Sequence, residues 1–166
     1  MSIDFIFSRR SIRKYTNEPV SENEIRLLLE AAMAAPSARN MQPWHFVVVT
    51  DRKRLDALAE AHPYGKMLAE APLAIAVIGD PIVSDSYWIQ DCSAATENIL
   101  LAVSAMNLGA VWLGCTPRRE RVEAVQHVLS IPEEYPVLSL LAIGHPAEEK
   151  SPRTQFDPKK VHREVW

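Results

Sequence analysis

The sequence lacks the patterns that several common kinds of protein and site require. No apolar run approaches the roughly 20 residues of a membrane-spanning helix, so we expect no membrane partner. The two cysteines, Cys92 and Cys115, form no CxxC pair and stand among apolar residues, which favours buried reduced thiols. The five histidines show neither HxxxH nor HExxH spacing, so we expect no bound metal.

Glycine and net positive charge are scarce as well. With five glycines, the chain contains no GxGxxG sequence and no GxxxxGK[ST] sequence, so neither a Rossmann dinucleotide site nor a P-loop is predicted. The formal net charge is -3, whereas a general nucleic-acid-binding protein would carry a basic excess on one face. We therefore expect no nucleic-acid partner.

The size and composition are those of one globular domain. The chain has 166 residues, of which 48% are hydrophobic and 23% charged. Residues 1–6 contain an acid, Asp4, in place of a basic region and have no long apolar core, so they do not read as a secretory signal. We expect a single domain over residues 1–166 in the cytoplasm.

One stretch, residues 8–15, concentrates positive charge and is called the basic segment below. It contains four cations, and three of them are arginines: Arg9, Arg10 and Arg13. The planar guanidinium group can bind a phosphate through two hydrogen bonds, which favours a site for a phosphate monoester. The alternatives are a solvent-exposed basic face or a helix C-terminus complementing its dipole, and the stretch alone does not decide among them.

Segments of helical and strand character interleave along the chain. Ser21 and Glu24 have the spacing of a capping box, and Pro36 stops the helix that they open. Thr116 and Pro117 are predicted to begin a later helix. Helices are predicted within residues 3–10, 22–35, 51–62, 86–108 and 116–129, and strands within 45–50, 73–78, 110–113 and 137–143. We therefore expect a layered domain of the α+β or α/β class.

Three segments have apolar side chains that other parts of the protein must cover. Residues 73–78 are apolar without alternation, as in a strand covered on both faces. The helix predicted over 86–108 has two apolar faces, so one of them is a candidate contact with a second subunit. Residues 145–166 contain apolar anchors but three prolines and no helical period, so this segment needs another surface to pack on.

Three motifs in order carry a family resemblance: Arg9-Arg10-Ser11-Ile12-Arg13, the loop from Pro36 to Trp44, and the stretch from Gly109 to Gly114. Their combination resembles the FMN-dependent nitroreductase family over nearly the whole chain. The resemblance implies an α+β fold, a three-layer α-β-α sandwich with a mixed, mainly antiparallel sheet. It also implies a homodimer with FMN at the interface, in which a C-terminal arm, residues 145–166, packs on the partner subunit.

The resemblance further implies an activity and a set of FMN-binding residues. The activity is two-electron transfer from NADH or NADPH to an electron-poor acceptor, such as a nitroaromatic or a quinone, by a ping-pong mechanism. The flavin carries the chemistry, so no catalytic side chain is predicted. Arg9 and Ser11 match positions that hold the FMN phosphate and ribityl chain, and Arg10 lies between them. Arg153 matches an arginine that completes the phosphate site, with Lys150 as a neighbour.

The other matched positions concern the flavin ring and the second subunit. Arg13 matches a cation beside the pyrimidine edge of the ring, where it would stabilise charge on the reduced flavin, and Lys66 is a second candidate. The stretch of Leu113, Gly114 and Cys115 matches backbone positions near the flavin N5 atom. The following residues match the loop that reaches the FMN of the other subunit: Pro36, Ser37, Ala38, Arg39, Asn40 and Gln42.

Some features of the chain leave its task open. The stretch between Asp80 and Trp88 has little room for the helical excursion that often covers the substrate in this family. Tyr64, Trp88 and Trp112 are candidates for the wall of an acceptor pocket, although we favour a core position for all three. The alternatives are another FMN enzyme of the same family, namely a dehydrogenase, dehalogenase or flavin-consuming enzyme, or a non-catalytic anion-binding interaction module.

Overall fold

The structure, a computed structural model, describes residues 3–166. Met1 and Ser2, which open the segment tested above for a secretory signal, lie outside the described residues. The regular elements follow the predicted order. They are α1 (Asp4–Ser8), α2 (Glu22–Met33), β1 (Trp44–Val49), α3 (Arg52–Ala61), β2 (Leu73–Gly79), α4 (Trp88–Ala105), β3 (Gly109–Gly114), α5 (Arg119–Leu129) and β4 (Val137–Gly144). Short 3₁₀ turns occupy Ala38–Asn40, Lys66–Ala69 and Pro158–Lys160.

The four strands form one sheet in the order β1-β2-β4-β3, and every neighbouring pair is antiparallel. A parallel contact comes from outside these strands, where Ser11 of the basic segment forms a bridge with Ala110 of β3. The predicted mainly antiparallel sheet is therefore confirmed. The bridge places the basic segment along the outer edge of β3.

The sheet lies between two layers of helices. Every residue of β2 and of β4 is buried, which confirms the interpretation of the uninterrupted apolar run in β2. Ile75 of β2 shares a core with Leu28 of α2 and Ile99 of α4, on one face of the sheet. The next residue, Ala76, packs with Leu55 of α3 on the other face, because successive side chains of a strand point to opposite sides. The three-layer α-β-α arrangement follows from this alternation.

Of the two helix starts predicted from capping residues, that of α2 is confirmed and that of α5 is not. The capping box that opens α2 is present, since the Glu24 N–H donates to the Ser21 hydroxyl at 3.3 Å and the Ser21 N–H donates to the Glu24 carboxylate at 2.7 Å. The prediction that Thr116 is the N-cap of α5 is wrong. The Thr116 hydroxyl donates to the Val137 carbonyl at 2.7 Å, and α5 begins only at Arg119. A contact with β4 thus takes the hydroxyl that the helix would have used.

Apolar surface remains on the outside of the single chain. Trp88 packs on Gly79, where an added Cβ would lie 2.1 Å from the indole ring, so its expected core position is confirmed. By contrast, α1 has no buried residue, and Phe5 and Ile6 are exposed. On α4, Ile89 is 46% exposed. Of these surfaces, the one on α4 belongs to the helix predicted to contact a second subunit, and the dimer stays a prediction.

Candidate functional site

The basic segment is fixed to the sheet by two buried side chains, Ile12 and Tyr15. The Ile12 N–H donates to the Ala110 carbonyl of β3 at 2.9 Å. The Tyr15 hydroxyl donates to the carbonyls of Ile12, at 2.6 Å, and Ala142, at 3.0 Å. Burial raises the pKa of Tyr15 well above its ordinary value, so the phenol stays a neutral donor. The cations between these anchors are thereby held at defined positions.

The first part of the predicted C-terminal arm packs on this segment within the same chain. The Lys150 ammonium donates to the Ser11 carbonyl at 2.6 Å, and the Arg10 guanidinium donates to the Ser151 carbonyl. The Arg153 N–H donates to the Phe7 carbonyl at 3.2 Å. Residues 147–153 therefore lie beside α1 and the basic segment of their own chain, and the predicted packing of residues 145–166 on a partner subunit stays a prediction.

A cavity of about 280 Å³, the arginine cavity, opens beside the basic segment. Three cations line it, Arg9, Arg10 and Lys150, together with the hydroxyls of Ser8 and Ser104. Guanidinium, ammonium and hydroxyl donors are the groups that bind phosphate oxygens. The resemblance assigned the phosphate contact to Arg153 and named Lys150 only as its neighbour. The structure places Lys150 in the arginine cavity and Arg153 in a neighbouring one, with Arg9 between them.

Glu148 is a member of this cluster that sequence reasoning missed. Its carboxylate accepts the Arg13 N–H at 2.6 Å and lies 3.1 Å from the Lys150 ammonium. The Arg13 hydrogen bond, followed by Lys150, holds the pKa of Glu148 below its ordinary value. Glu148 thus balances part of the positive charge and fixes Lys150. A glutamate in a charged tail gives no sequence signal of such a contact.

A second cavity, of about 560 Å³, lies farther along the basic segment and is called the Gly114 cavity. It brings together Arg13 and Lys66 with Leu113 and Gly114 at the end of β3. Lys66 sits on a turn that Arg52 of α3 holds, because the Arg52 guanidinium donates to the carbonyls of Leu68 and Ala71. Arg13 and Lys66, the two cations predicted to face the flavin ring, therefore line the same cavity.

The end of β3 offers room for a flat ligand. A Cβ added to Gly114 would meet nothing within 4 Å, so the space above this glycine is open. Cys115, in contrast, is fully buried, and burial raises the pKa of its thiol to about 12. The Cys115 N–H also donates to the Leu138 carbonyl at 3.0 Å. Contact with a ligand is thus open to Gly114, whereas the predicted role of Cys115 lacks a free N–H.

The expected core position of Tyr64 is wrong. Tyr64 is 65% exposed and lines the Gly114 cavity, because it follows Pro63 in the turn after α3. The Arg121 guanidinium carbon lies 5.2 Å from the centre of the Tyr64 ring, a cation–π distance. Trp112 does pack against the core, and it also lines the cavity.

The loop over residues 36–42 has an unusual and well-anchored backbone. Arg39, Asn40 and Gln42 have φ values of 53°, 55° and 51°, in the left-handed region that costs energy for residues other than glycine. The Ala38 N–H donates to the Asp91 carboxylate of α4 at 3.0 Å, and Asp91 is buried. A strained loop held by a buried carboxylate is typical of a functional position. Sequence reasoning missed Asp91.

Hydrogen bonds inside the loop help to hold its shape. The Gln42 N–H donates to the Ser37 hydroxyl at 3.0 Å, and the Gln42 side chain donates to Asn40 at 3.1 Å. Pro36, at the start of the loop, is exposed, whereas Trp44 is buried at its end, as expected for an anchoring indole. The polar side chains of Arg39, Asn40 and Gln42 are exposed.

The loop does not meet the two cavities within one chain. It contacts Asp91 near the start of α4, whereas the basic segment contacts α4 near its end, through a 3.1 Å hydrogen bond between Ser8 and Ser104. At 1.5 Å per residue, Asp91 and Ser104 lie roughly 20 Å apart along the helix axis. The assignment of the loop to the FMN of another subunit stays a prediction.

Residues 3–166 also show whether the chain could hold a membrane span or a metal ion. No helix in this range is long and apolar enough to cross a membrane. No group of three or more His, Cys, Asp or Glu side chains in the same range could hold a metal ion.

Comparisons with known proteins agree with the fold and the motifs. The model of the nitroreductase family matches residues 6–62 and 60–145. A protein of Archaeoglobus fulgidus, provisionally named NADH dehydrogenase/NAD(P)H nitroreductase, is 47% identical over 99% of this chain and 98% of its own length. The chain belongs to the nitroreductase family.

Two solved structures extend the comparison. An FMN-dependent nitroreductase from Clostridium difficile superposes with a TM-score of 0.93 at 33% identity, over 99% of this chain and all (100%) of the other. A provisionally named nitroreductase from Desulfovibrio desulfuricans, solved in complex with FMN, superposes with a TM-score of 0.84 at 35% identity, over 99% of this chain and 96% of the other. The three-layer fold is thus that of the family.

Proposed function

We propose that this protein is an FMN-dependent oxidoreductase that transfers two electrons from NADH or NADPH to a small electron-poor acceptor, a nitroaromatic or a quinone. The observation that carries the proposal is the pair of cavities along the basic segment. One has three cations suited to a phosphate, and the other has Arg13, Lys66 and an unobstructed glycine. The FMN complex of the Desulfovibrio relative and the name of the Archaeoglobus relative support it.

The residues present fit FMN. Arg9, Arg10 and Lys150 would hold the phosphate, with Ser11 beside the ribityl chain. Bound flavin would accept and donate a hydride. Arg13 and Lys66 would stabilise negative charge at the ring, because fixed cations in a partly enclosed site need no reorganisation when charge develops. We propose that the flavin ring occupies the Gly114 cavity and that donor and acceptor meet the ring in turn, in a ping-pong order.

We also propose a homodimer in which each subunit completes the site of the other. The loop over residues 36–42 lies roughly 20 Å along α4 from the basic segment of its own chain, so a second chain would have to supply it. The exposed apolar residues Phe156, Val161 and Trp166 beyond the basic segment also need a surface to cover them. A cytoplasmic location stays a prediction.

One experiment tests the cofactor and the donor together. The purified protein is loaded with FMN, freed of excess flavin, and titrated without oxygen with NADH and then with NADPH. We expect a flavin absorption band that is retained by the protein and bleached by at least one nucleotide. A protein that remains colourless after loading would contradict the proposed function and favour a non-catalytic anion-binding module.

The reaction order needs a second measurement. Initial rates with a quinone or a nitroaromatic acceptor are recorded at several donor concentrations. A ping-pong mechanism gives parallel lines in a double-reciprocal plot, whereas intersecting lines would show that donor and acceptor bind together.

A further inference from the structure

Gly114 lies at the end of β3 with its peptide groups turned away from the neighbouring strand. The Cys115 N–H donates to the Leu138 carbonyl of the β4 side, so these two residues form a hydrogen-bonded pair of the ladder. Peptide groups alternate in direction along an antiparallel strand, and the N–H and C=O of Gly114 therefore point off the outer edge of β3. That edge faces the Gly114 cavity.

The Gly114 carbonyl receives two side-chain donors from different helical segments. His62, at the end of α3, places its Nε2 atom 3.1 Å from this oxygen. Arg121 of α5 donates to it from Nη1, also at 3.1 Å. One donor comes from each of the two helices that cover this face of the sheet. The end of β3 is thereby tied to both.

The protonation state of His62 follows from its contacts. The Tyr64 N–H donates to Nδ1 at 3.2 Å, so Nδ1 is an acceptor and the ring proton is on Nε2. His62 is 2% exposed. Burial, and to a smaller extent the nearby Arg121 charge, lowers the pKa of His62. At neutral pH the ring is therefore neutral, with both nitrogens in use, and it serves as a fixed donor to Gly114.

The strand ladder restrains Gly114 on the side of β4, whereas the space where its side chain would lie is open. A Cβ at Gly114 would touch nothing within 4 Å, so no side chain and no close neighbour fixes the backbone on that side. Glycine also has the largest conformational freedom to lose. Two hydrogen bonds to its carbonyl, one of them from a cation, add restraint on the outer edge of β3, where the ladder makes no contact.

We propose that His62 and Arg121 are positioning residues that hold the end of β3, through the Gly114 carbonyl, in the conformation in which the Gly114 N–H points toward the Gly114 cavity. The inference rests on the proposed function, in which a flavin ring occupies that cavity. An oxidised flavin has a hydrogen-bond acceptor at N5, whereas the reduced ring carries a proton there. A fixed N–H donor would therefore favour the oxidised form, and loosening it would weaken binding of oxidised FMN more than binding of reduced FMN.

The test compares His62→Met with His62→Gln, in which the amide nitrogen can replace Nε2 as a donor. We expect His62→Met to weaken oxidised FMN about three- to tenfold more than reduced FMN, and a tenfold change in that ratio raises the two-electron potential by about 30 mV. His62→Gln should restore most of the difference. Val49→Ala, a buried substitution on the far edge strand, is the control for lost stability and should leave the ratio unchanged.

A second measurement uses the flavin-free protein. The backbone order parameter of Gly114, from ¹⁵N relaxation, should fall in His62→Met toward the flexible range below about 0.6 and recover in His62→Gln. If His62→Met does not fold, Arg121→Met removes the other donor from the same carbonyl and should change both readouts in the same direction.

The outcomes distinguish a failure of the proposed function from a failure of the positioning role. A wild-type protein that binds no FMN refutes the proposed function itself. Equal losses of oxidised and reduced FMN in His62→Met, or a glutamine variant that behaves like the methionine variant, would overturn the positioning role while leaving the proposed function intact.

Discussion

Replacing Arg9 by alanine is the most direct test of the arginine cavity. Arg9 lines this cavity and its neighbour, and in the single chain its only ion pair in the described residues is a long one, 3.9 Å to Glu97. A pair at this distance whose glutamate side chain is 47% exposed contributes about 0 to 1 kcal/mol to stability. The variant should therefore fold, so that a change in FMN affinity reports on binding.

The expected loss of affinity can be worked from the lost contact. A hydrogen bond to a charged group contributes about 1.5 to 3 kcal/mol. At 1.4 kcal/mol per tenfold change, Arg9→Ala should raise the FMN dissociation constant about 10- to 150-fold. Arg9→Lys should recover part of this loss, because an ammonium keeps the charge but cannot form the two-point guanidinium contact.

The assay is a fluorescence titration of free flavin with protein. Arg26→Ala is the matched control. Arg26 forms an ion pair with Glu30 on the exposed side of α2, and its replacement removes the same single positive charge as Arg9→Ala. It should bind FMN as the wild type does. Wild-type affinity in Arg9→Ala, with a normal thermal melt, would refute the phosphate assignment.

Further predictions concern the ring, the acidic member of the cluster and the tail. Arg13→Ala should lower the flavin potential and keep much of the FMN affinity, because its proposed partner is the ring; an unchanged potential in an equilibrium dye titration would contradict this role. The pKa of Glu148 is lowered in the folded protein, so its contribution to stability is present above the ordinary value of 4.5 and is lost as the pH falls below it. Urea unfolding at several pH values should show a smaller acid-induced loss for Glu148→Gln, and identical curves would speak against the contact. Deleting residues 154–166 should weaken the dimer and the retention of flavin together; a flavin-saturated dimer of unchanged stability, measured by size-exclusion chromatography with light scattering, would rule out the exchanged tail.

The fold was largely predictable because its signals are local. The capping box of Ser21 and Glu24 and the unbroken apolar run of β2 each lie within a few residues, so the sequence contains them directly. Thr116 shows the limit of such reasoning. Its hydroxyl has a local use as a helix cap and a distant one on Val137, and only packing decides between them.

Local sequence signals, as opposed to the family resemblance, pointed to the candidate site only where charge is dense. The basic segment stands out as a run of cations, whereas Glu148, Asp91 and Arg121 act through partners far away in the sequence. Tyr64 was placed in the core because large aromatic side chains usually lie there. Its exposure depends on the turn after α3, whose direction is set by contacts of His62 and Arg52 that no local pattern reveals.

The arginine cavity combines cations that are far apart in the sequence, since Lys150 lies 140 residues after Arg10. During synthesis Lys150 follows Gly144, the last residue of the inner strand β4, by only six residues. The sheet and the arginine cavity can therefore be completed at nearly the same point of chain growth. A fragment that ends before Lys150 would lack one of the three cations of this cavity, and we expect it to retain less flavin than a chain that contains Lys150.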